Sequence, residues 1–547
     1  MATDPDPEEE DSRLARSSTP GDPAKSVSPR SDPRSGAFGT SLDRADRRGL
    51  WLGGGLLCAG IGALAVFELS TDAVAPLVAA LAVAGVGWAL AVRWAFAEAE
   101  LPAAVGEGSG HAQRNAPRSS LSVAGLLLVA LALRAAALTS DPHLSDDVSR
   151  YVWEGALVAQ GDSPWAHAPS APERAAERER WPELYAMLNN PDVSAAYPPV
   201  MQAFCAVVVT AAGGLDPPRF EGAQAAEQRL ARVERAQRAM RIAFTLADLL
   251  VLVPLVSLLR RSGRSASLAL IWAWCPLVVV AFAGTGHFDA LGILFLVAAL
   301  AARSVWGSAL LLAAGTLVKF LPVLALPFLA VAWWRGADRD PRRRVLLGLG
   351  TFVFATALGM AAPLALVDGD QGLLRGLTAY ATRWESFHLC FRFVEGAWAA
   401  LASPEDSGRS ARLFVAGLLA AFGLWRVVVS ARGLRRDPEG DEPRGLVGAV
   451  YAVFAALFVL TPTLHPWYLT WLVPLLAVVQ VPTRGFVSTR TAWMWLVAAA
   501  PLCYWPLERW RSQGVWHEPI WLWPLVALPF WALFVAAFCV RRDAPAR

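Results

Sequence analysis

Long apolar runs separated by short polar blocks fill the chain from residue 50 to near its end. They lie at roughly 50–68, 73–93, 121–138, 240–259, 266–283, 288–302, 304–318, 320–334, 345–366, 411–430, 445–461, 466–480, 491–506 and 519–540. Several are shorter than the roughly 20 residues a membrane-crossing helix needs, so some spans must be tilted, merged or broken. The pattern predicts an all-α polytopic membrane protein with about fourteen spans. One more apolar stretch, Tyr197–Leu215, is ambiguous.

Arginine placement bears on that stretch. If Tyr197–Leu215 dips back as a re-entrant or surface-lying helix, then Arg260/Arg261/Arg264, Arg335/Arg339/Arg342/Arg343/Arg344, Arg432/Arg435/Arg436/Arg444, Arg484/Arg490 and Arg541/Arg542/Arg547 share the side of the N-terminal tail. That is the cytoplasmic side by the positive-inside rule. A crossing would turn every later block outward. Pro198-Pro199 favours an interfacial helix start, because proline suits the first turn. The choice places the charged segment Arg219 to Arg241 outside. It also brings the 139–196 loop, Gly284–Ala290, the 367–410 loop and Thr461–Tyr468 to the external face.

Composition agrees. The 547 residues are 55% hydrophobic with a mean hydropathy of +0.40. A net charge of +3 is too small to suggest nucleic-acid binding. Cys58, Cys205, Cys275, Cys390, Cys503 and Cys539 are scattered singly and show no metal-ligand spacing. Residues 1–49 are too polar to bury a core and read as a disordered cytoplasmic tail.

The richest polar stretch is Asp141–Pro169, directly after an apolar segment. It holds His143, Asp146, Asp147, Arg150, Trp153, Glu154, Trp165 and His167. In a partly dehydrated cleft two adjacent carboxylates resist ionising together, so one can be tuned as a proton acceptor. The alternative is a solvated loop whose acids cap a helix over Val148–Gln160. His287 and Asp289 follow Gly284-Thr285-Gly286, where glycines let an anionic head group approach the backbone. A helix-start acid beside an interfacial histidine would give the same pattern.

Lys319, the only lysine after Lys25, sits between two apolar runs. An ionisable group there is a functional candidate, with snorkelling the cheaper account. Asp248 reads as a polar contact between helices. Tyr380–Trp398 is an aromatic and charged run in which Arg383, Glu385, His388 and Arg392 could face a cavity, or else belong to an interfacial helix. His465-Pro466-Trp467-Tyr468 opens a later span, where the aromatics suit a membrane belt and the histidine adds chemical interest. No dinucleotide fingerprint, Walker loop, Cys/His metal pattern or nucleophile elbow is present.

Five motifs in order carry a resemblance: SDDVSRYVWEGALVAQGDSPWAHAP, AYPPVMQ at Ala196–Gln202, GTGHFDAL, LVKFLPVLALP and HPWYLTWLVPLL. Over most of residues 120–480 the chain resembles the bacterial polyprenol-phosphate-dependent glycosyltransferases of the GT-C superfamily, in particular their mannosyltransferase-like branch. The resemblance implies a GT-C-type multi-span helical bundle with extracytoplasmic loops carrying amphipathic helices. It implies an inner-membrane enzyme that moves a hexose, mannose first, from a polyprenyl-phosphate donor to a lipid-linked or envelope glycan acceptor. Transfer would invert the sugar at the extracytoplasmic face, with no cofactor and no metal.

Carried onto this chain, Asp146 is the expected general base, and Asp147 positions the acceptor or substitutes as base. Arg150, His287 and Lys319 meet the departing phosphate. Tyr151, Trp153 and Trp165 offer faces to sugar rings, with Glu154, Asp289, His388 and His465 as further substrate contacts. The expected organisation is a tail at 1–49, an additional hairpin and linker at 50–119, a catalytic core at 120–366 with its first loop at 139–196, an external loop at 367–410 and C-terminal helices at 411–547. A transporter or flippase without transferase chemistry is the rival reading, although no internal repeat is found. An inactive scaffold in an envelope-assembly complex is a third.

Overall fold

The computed structural model describes residues 48–63, 74–100, 123–139, 144–215, 222–335, 340–365, 375–401, 406–436, 442–479 and 488–542. Residues 1–47 of the expected tail, the 101–119 linker, His143 and residues 367–374 lie outside these. Among the described residues all regular structure is helical, as the apolar pattern predicts.

Two N-terminal helices, α1 (48–63) and α2 (Val74–Glu100), touch through small residues. A Cβ added at Gly53 would lie 2.6 Å from the Gly87 carbonyl oxygen, and one at Gly60 would lie 2.5 Å from that of Ala80. Small side chains let backbones meet where lipid supplies no hydrophobic drive. Next come α3 (Val123–Thr139), the cap helix α4 (Asp147–Ala159) and α5 (Pro199–Ala211). Pro199 opens α5 at its first position, as expected of proline. Thirteen residues extend only about 20 Å, short of a hydrocarbon core of about 30 Å. The helix lies against α4, and Gly155 permits the approach: a Cβ there would meet the Cys205 carbonyl carbon at 2.7 Å.

Helices α6 (Ala223–Leu250) and α7 (Leu252–Arg261) form a nearly continuous 39-residue rod. At roughly 1.5 Å per residue it measures about 58 Å, so its charged N-terminal half extends beyond an apolar slab of about 30 Å. A polar link joins this rod to α3. Arg134 is fully buried and grips Asp248 with two hydrogen bonds, Nε to Oδ2 at 2.7 Å and Nη2 to Oδ1 at 3.0 Å. Asp248 thus makes the interhelical contact that its sequence position suggests.

The remaining elements are α8 (Asp289–Ala301), α9 (Val305–Val318), α10 (Leu326–Arg335), α11 (Pro341–Ala365), α12 (Arg375–Arg383), α13 (Phe391–Leu401), α14 (Ser407–Arg436), α15 (Glu442–Leu460), α16 (Val473–Val479), α17 (Thr489–Ala499), α18 (Pro506–Gln513) and α19 (Leu522–Arg542). Five helices among the described residues are long and apolar enough to cross a membrane, or six if the pair Ala266–Ala273 and Pro276–Gly284, bent by 55°, counts as one. The expected fourteen thus include many shorter pieces. Proline and polar breaks explain them: Pro276 bends its pair, and Lys319 and Pro322 separate α9 from α10. Pro466 opens a 3-10 turn before α16, and Pro501 lies in another after α17. Leu128, Val253, Phe354 and Leu413 point outward at 66–70% exposure, a surface suited to lipid.

Candidate active site

Asp146 occupies the N-cap of α4 and Asp147 its first turn, but the Asp146 side chain makes no capping bond. The acids turn to a neighbouring loop instead. The Asn189 side-chain amide donates to Asp146 Oδ1 at 2.8 Å and to Asp147 Oδ1 at 2.7 Å. One NH2 group therefore bridges the pair.

The loop carrying Asn189 is held from α4. Arg150 donates from Nε to Glu154 Oε1 (2.7 Å), from Nη1 to the carbonyl of Asn190 (3.0 Å) and from Nη2 to that of Val193. Gln202 of α5 completes the link by donating to Glu154 Oε2 at 2.6 Å. Arg150 is buried and committed to protein acceptors, so its place is that of a loop clamp at the cavity wall. From the far side Arg229 of α6 pairs with Glu183, both contacts at 2.7 Å, and Gln237 donates to Ser149 Oγ at 3.0 Å. The charged start of α6 is thus a brace for the first loop.

His287 arrives through a tight turn. Gly286 adopts φ +74°, and a Cβ there would lie 2.8 Å from Arg241 Cγ, so both conformation and space call for glycine. Arg241 pins the turn by donating to the carbonyls of Ala283 and Ala137 at 2.9 and 2.8 Å. The His287 ring is fully buried, with Nδ1 3.5 Å from Asp147 Oδ2, and neither ring nitrogen has a hydrogen-bond partner. It stacks on Trp467 at 3.8 Å, and His465 stacks on that same indole at 4.5 Å.

Below this sandwich, Asp289 Oδ1 accepts from Lys319 Nζ at 2.6 Å and from Trp471 Nε1 at 2.7 Å, while Oδ2 has no partner. Lys319 sits at the end of α9, 4.3 Å from the Tyr468 ring centroid. The Tyr468 and Tyr380 hydroxyls hydrogen-bond each other.

A cavity of about 470 Å³ opens above the acids. Asp146, Asp147, Arg150, Tyr151, Glu154 and His465, six of the expected site residues, line it. His287, Asp289 and Lys319 stand behind the cavity lining. Three others lie elsewhere. Trp153 packs edge-on against Trp181 at 5.4 Å, Trp165 donates to the Tyr197 carbonyl at 2.9 Å, and His388 offers its carbonyl to Trp523 at 2.9 Å. Besides Tyr151, the aromatic residues that line the cavity are Tyr197, Tyr380, Trp384, Phe387, Trp467, Tyr468, Tyr504, Trp510 and Trp516. Several fall in motifs already singled out, AYPP, Tyr380–Trp398 and HPWY. Asn189, in an Asn-Asn-Pro-Asp turn, carries no signal beyond turn propensity.

The acids differ electrostatically. Asp146 is exposed, whereas 23% of the Asp147 side chain remains open. Burial, then the Asp146 charge, pushes the Asp147 carboxyl up to about 6 against the opposing Asn189 hydrogen bond. Burial and then Lys319 hold His465 down to about 3, so at neutral pH it is an uncharged ring.

The polytopic helical chain is a membrane glycosyltransferase. Its family is more particular. The family model described as alpha-(1->6)-mannopyranosyltransferase, N-terminal domain, matches residues 53–335, just over half of the chain, and the chain belongs to that GT-C mannosyltransferase family. The match takes in α1, α2 and the charged start of α6 as well as the paired acids. No curated protein and no solved structure matches the chain.

Proposed function

We propose that the protein transfers mannose from a polyprenyl-phosphate donor to a lipid-linked or envelope glycan acceptor, at the extracytoplasmic face and with inversion. The observation that carries this reading is the pair of adjacent carboxylates on the wall of an aromatic-lined cavity in a chain of a mannosyltransferase family. An acceptor hydroxyl attacks the anomeric carbon while the bond from that carbon to the phosphate oxygen breaks. The bonding electrons leave with the phosphate, and the hydroxyl proton passes to an aspartate.

Asp147 suits the base better than Asp146, exchanging the roles expected from sequence. A carboxylate raised to about 6 holds a proton more readily than an ordinary one, yet is mostly ionised at neutral pH. Asp146 then orients the acceptor and keeps its neighbour's proton affinity high. Lys319 is a candidate cation for the developing phosphate charge, with His287 as a buried ring beside Asp147. Trp384 and Tyr380 offer faces for sugar rings.

The test is to incubate membranes containing the protein with a panel of polyprenyl-phosphate sugars and follow release of free polyprenyl phosphate. Release from the mannosyl donor, dependent on an added glycan acceptor, supports the reading. Passage of intact donor between leaflets without release would favour a flippase instead.

A further inference from the structure

We infer that Asn189 is a positioning residue that fixes which oxygen of each active-site carboxylate faces substrate. The inference rests on the reading of Asp146 and Asp147 as the acid–base pair. Its basis is the two short hydrogen bonds from one amide, at 2.8 and 2.7 Å, each to an Oδ1 atom. Facing two carboxylates, the side chain must present its NH2 rather than its carbonyl. Both Oδ1 atoms are thereby occupied. The Oδ2 of Asp147 is left 3.5 Å from His287, and that of Asp146 is left without Asn189.

Loop anchoring does not need this side chain. Arg150 holds the turn through the backbone carbonyls of Asn190 and Val193, and Asn190 takes a positive φ of 43° that carries the chain round. The Asn189 amide is therefore directed to the acids alone. A neutral double donor between two like charges relieves their repulsion and favours the ionised form of Asp147. It works with the groups already around Asp147: Asp146 and Arg150 at α4, His287 and Asp289 from the turn before α8, and the phenols of Tyr151, Tyr197, Tyr380 and Tyr504.

The experiment measures kcat/KM for release of polyprenyl phosphate from a mannosyl donor in proteoliposomes, across pH 5 to 9, for wild type, Asn189→Ala and Asn189→Asp. Removing the donors raises the proton affinity of Asp147, so the acid limb of the Asn189→Ala profile moves up by about one pH unit. Asn189→Asp, which adds a third acid of the same size, moves it further. Transfer at pH 5.5 then falls about eightfold in Asn189→Ala and further in Asn189→Asp, whereas at pH 8.5 it stays within about threefold of wild type. A loss that is the same at every pH, or an unshifted limb in both variants, overturns the inference. If Asn189→Ala does not insert, the Asn189→Asp profile decides alone. Asp146→Asn and Asp147→Asn run beside them. Wild-type transfer by both removes the acid–base reading itself, while loss in either with an unshifted Asn189 limb removes only the role of Asn189.

Discussion

Replacing Lys319 with methionine separates structural from chemical use of the buried ion pair. Asp289 is fully buried, and its Oδ1 receives only Lys319 at 2.6 Å and Trp471 at 2.7 Å. Without the ammonium, one indole N–H faces a buried carboxylate whose other oxygen is already unpartnered. Breaking such a pair from one side costs about 3–5 kcal/mol. Adding Asp289→Asn removes the stranded charge and leaves about 1–2 kcal/mol, the scale of a lost hydrogen bond. Thermal unfolding of purified protein in detergent should therefore show Lys319→Met well below wild type and the double variant recovering much of the difference. Donor KM should behave otherwise: if Lys319 meets the lipid phosphate, the double variant keeps a KM raised about tenfold or more despite its recovered stability. A single variant as stable as wild type would refute the reasoning about the pair. A double variant with wild-type KM would remove Lys319 from phosphate binding.

Transfer should decline on the acid side through pH 6, where the Asp147 carboxyl takes up its proton and ceases to accept one, with a rate at pH 5 about tenfold below the plateau; a pH–rate profile flat to pH 5 contradicts this. Gly155→Leu should prevent α5 from seating on α4, because even a Cβ meets Cys205 backbone at 2.7 Å, and a loss of more than about 1–3 kcal/mol should appear as poor recovery of folded protein. Trp384→Ala should raise acceptor KM with little change in unfolding temperature, whereas Trp165→Phe, away from the cavity, should lower stability by about 1 kcal/mol and leave KM alone. Kinetics and thermal unfolding on the same preparations check both.

Much of the fold could be read from hydrophobic runs because burial in lipid forces backbone groups to pair within helices. The count of full spans could not, since proline and polar breaks such as Pro276 and Lys319 divide runs that composition alone cannot partition. At the site, Asp146 and Asp147 stand out because a dense polar stretch directly follows an apolar segment, and His465 because it opens a later apolar run. Arg150 stands out equally but is committed to loop carbonyls, a use that depends on a turn some forty residues away. Trp153 and Trp165 share the acids' segment yet face away from the cavity, because only some faces of α4 and its loop border it. Asn189 carries neutral turn chemistry, and only folding brings its amide between the acids.

The most direct test of the central claim removes both carboxylates. Asp146→Asn with Asp147→Asn keeps the shape and one acceptor oxygen on each side chain for the Asn189 amide but takes away the proton acceptor. In proteoliposomes supplied with mannosyl-phosphopolyprenol and a glycan acceptor, the account predicts a protein that inserts and binds donor but releases no free polyprenyl phosphate above background. Release at the wild-type rate would contradict it.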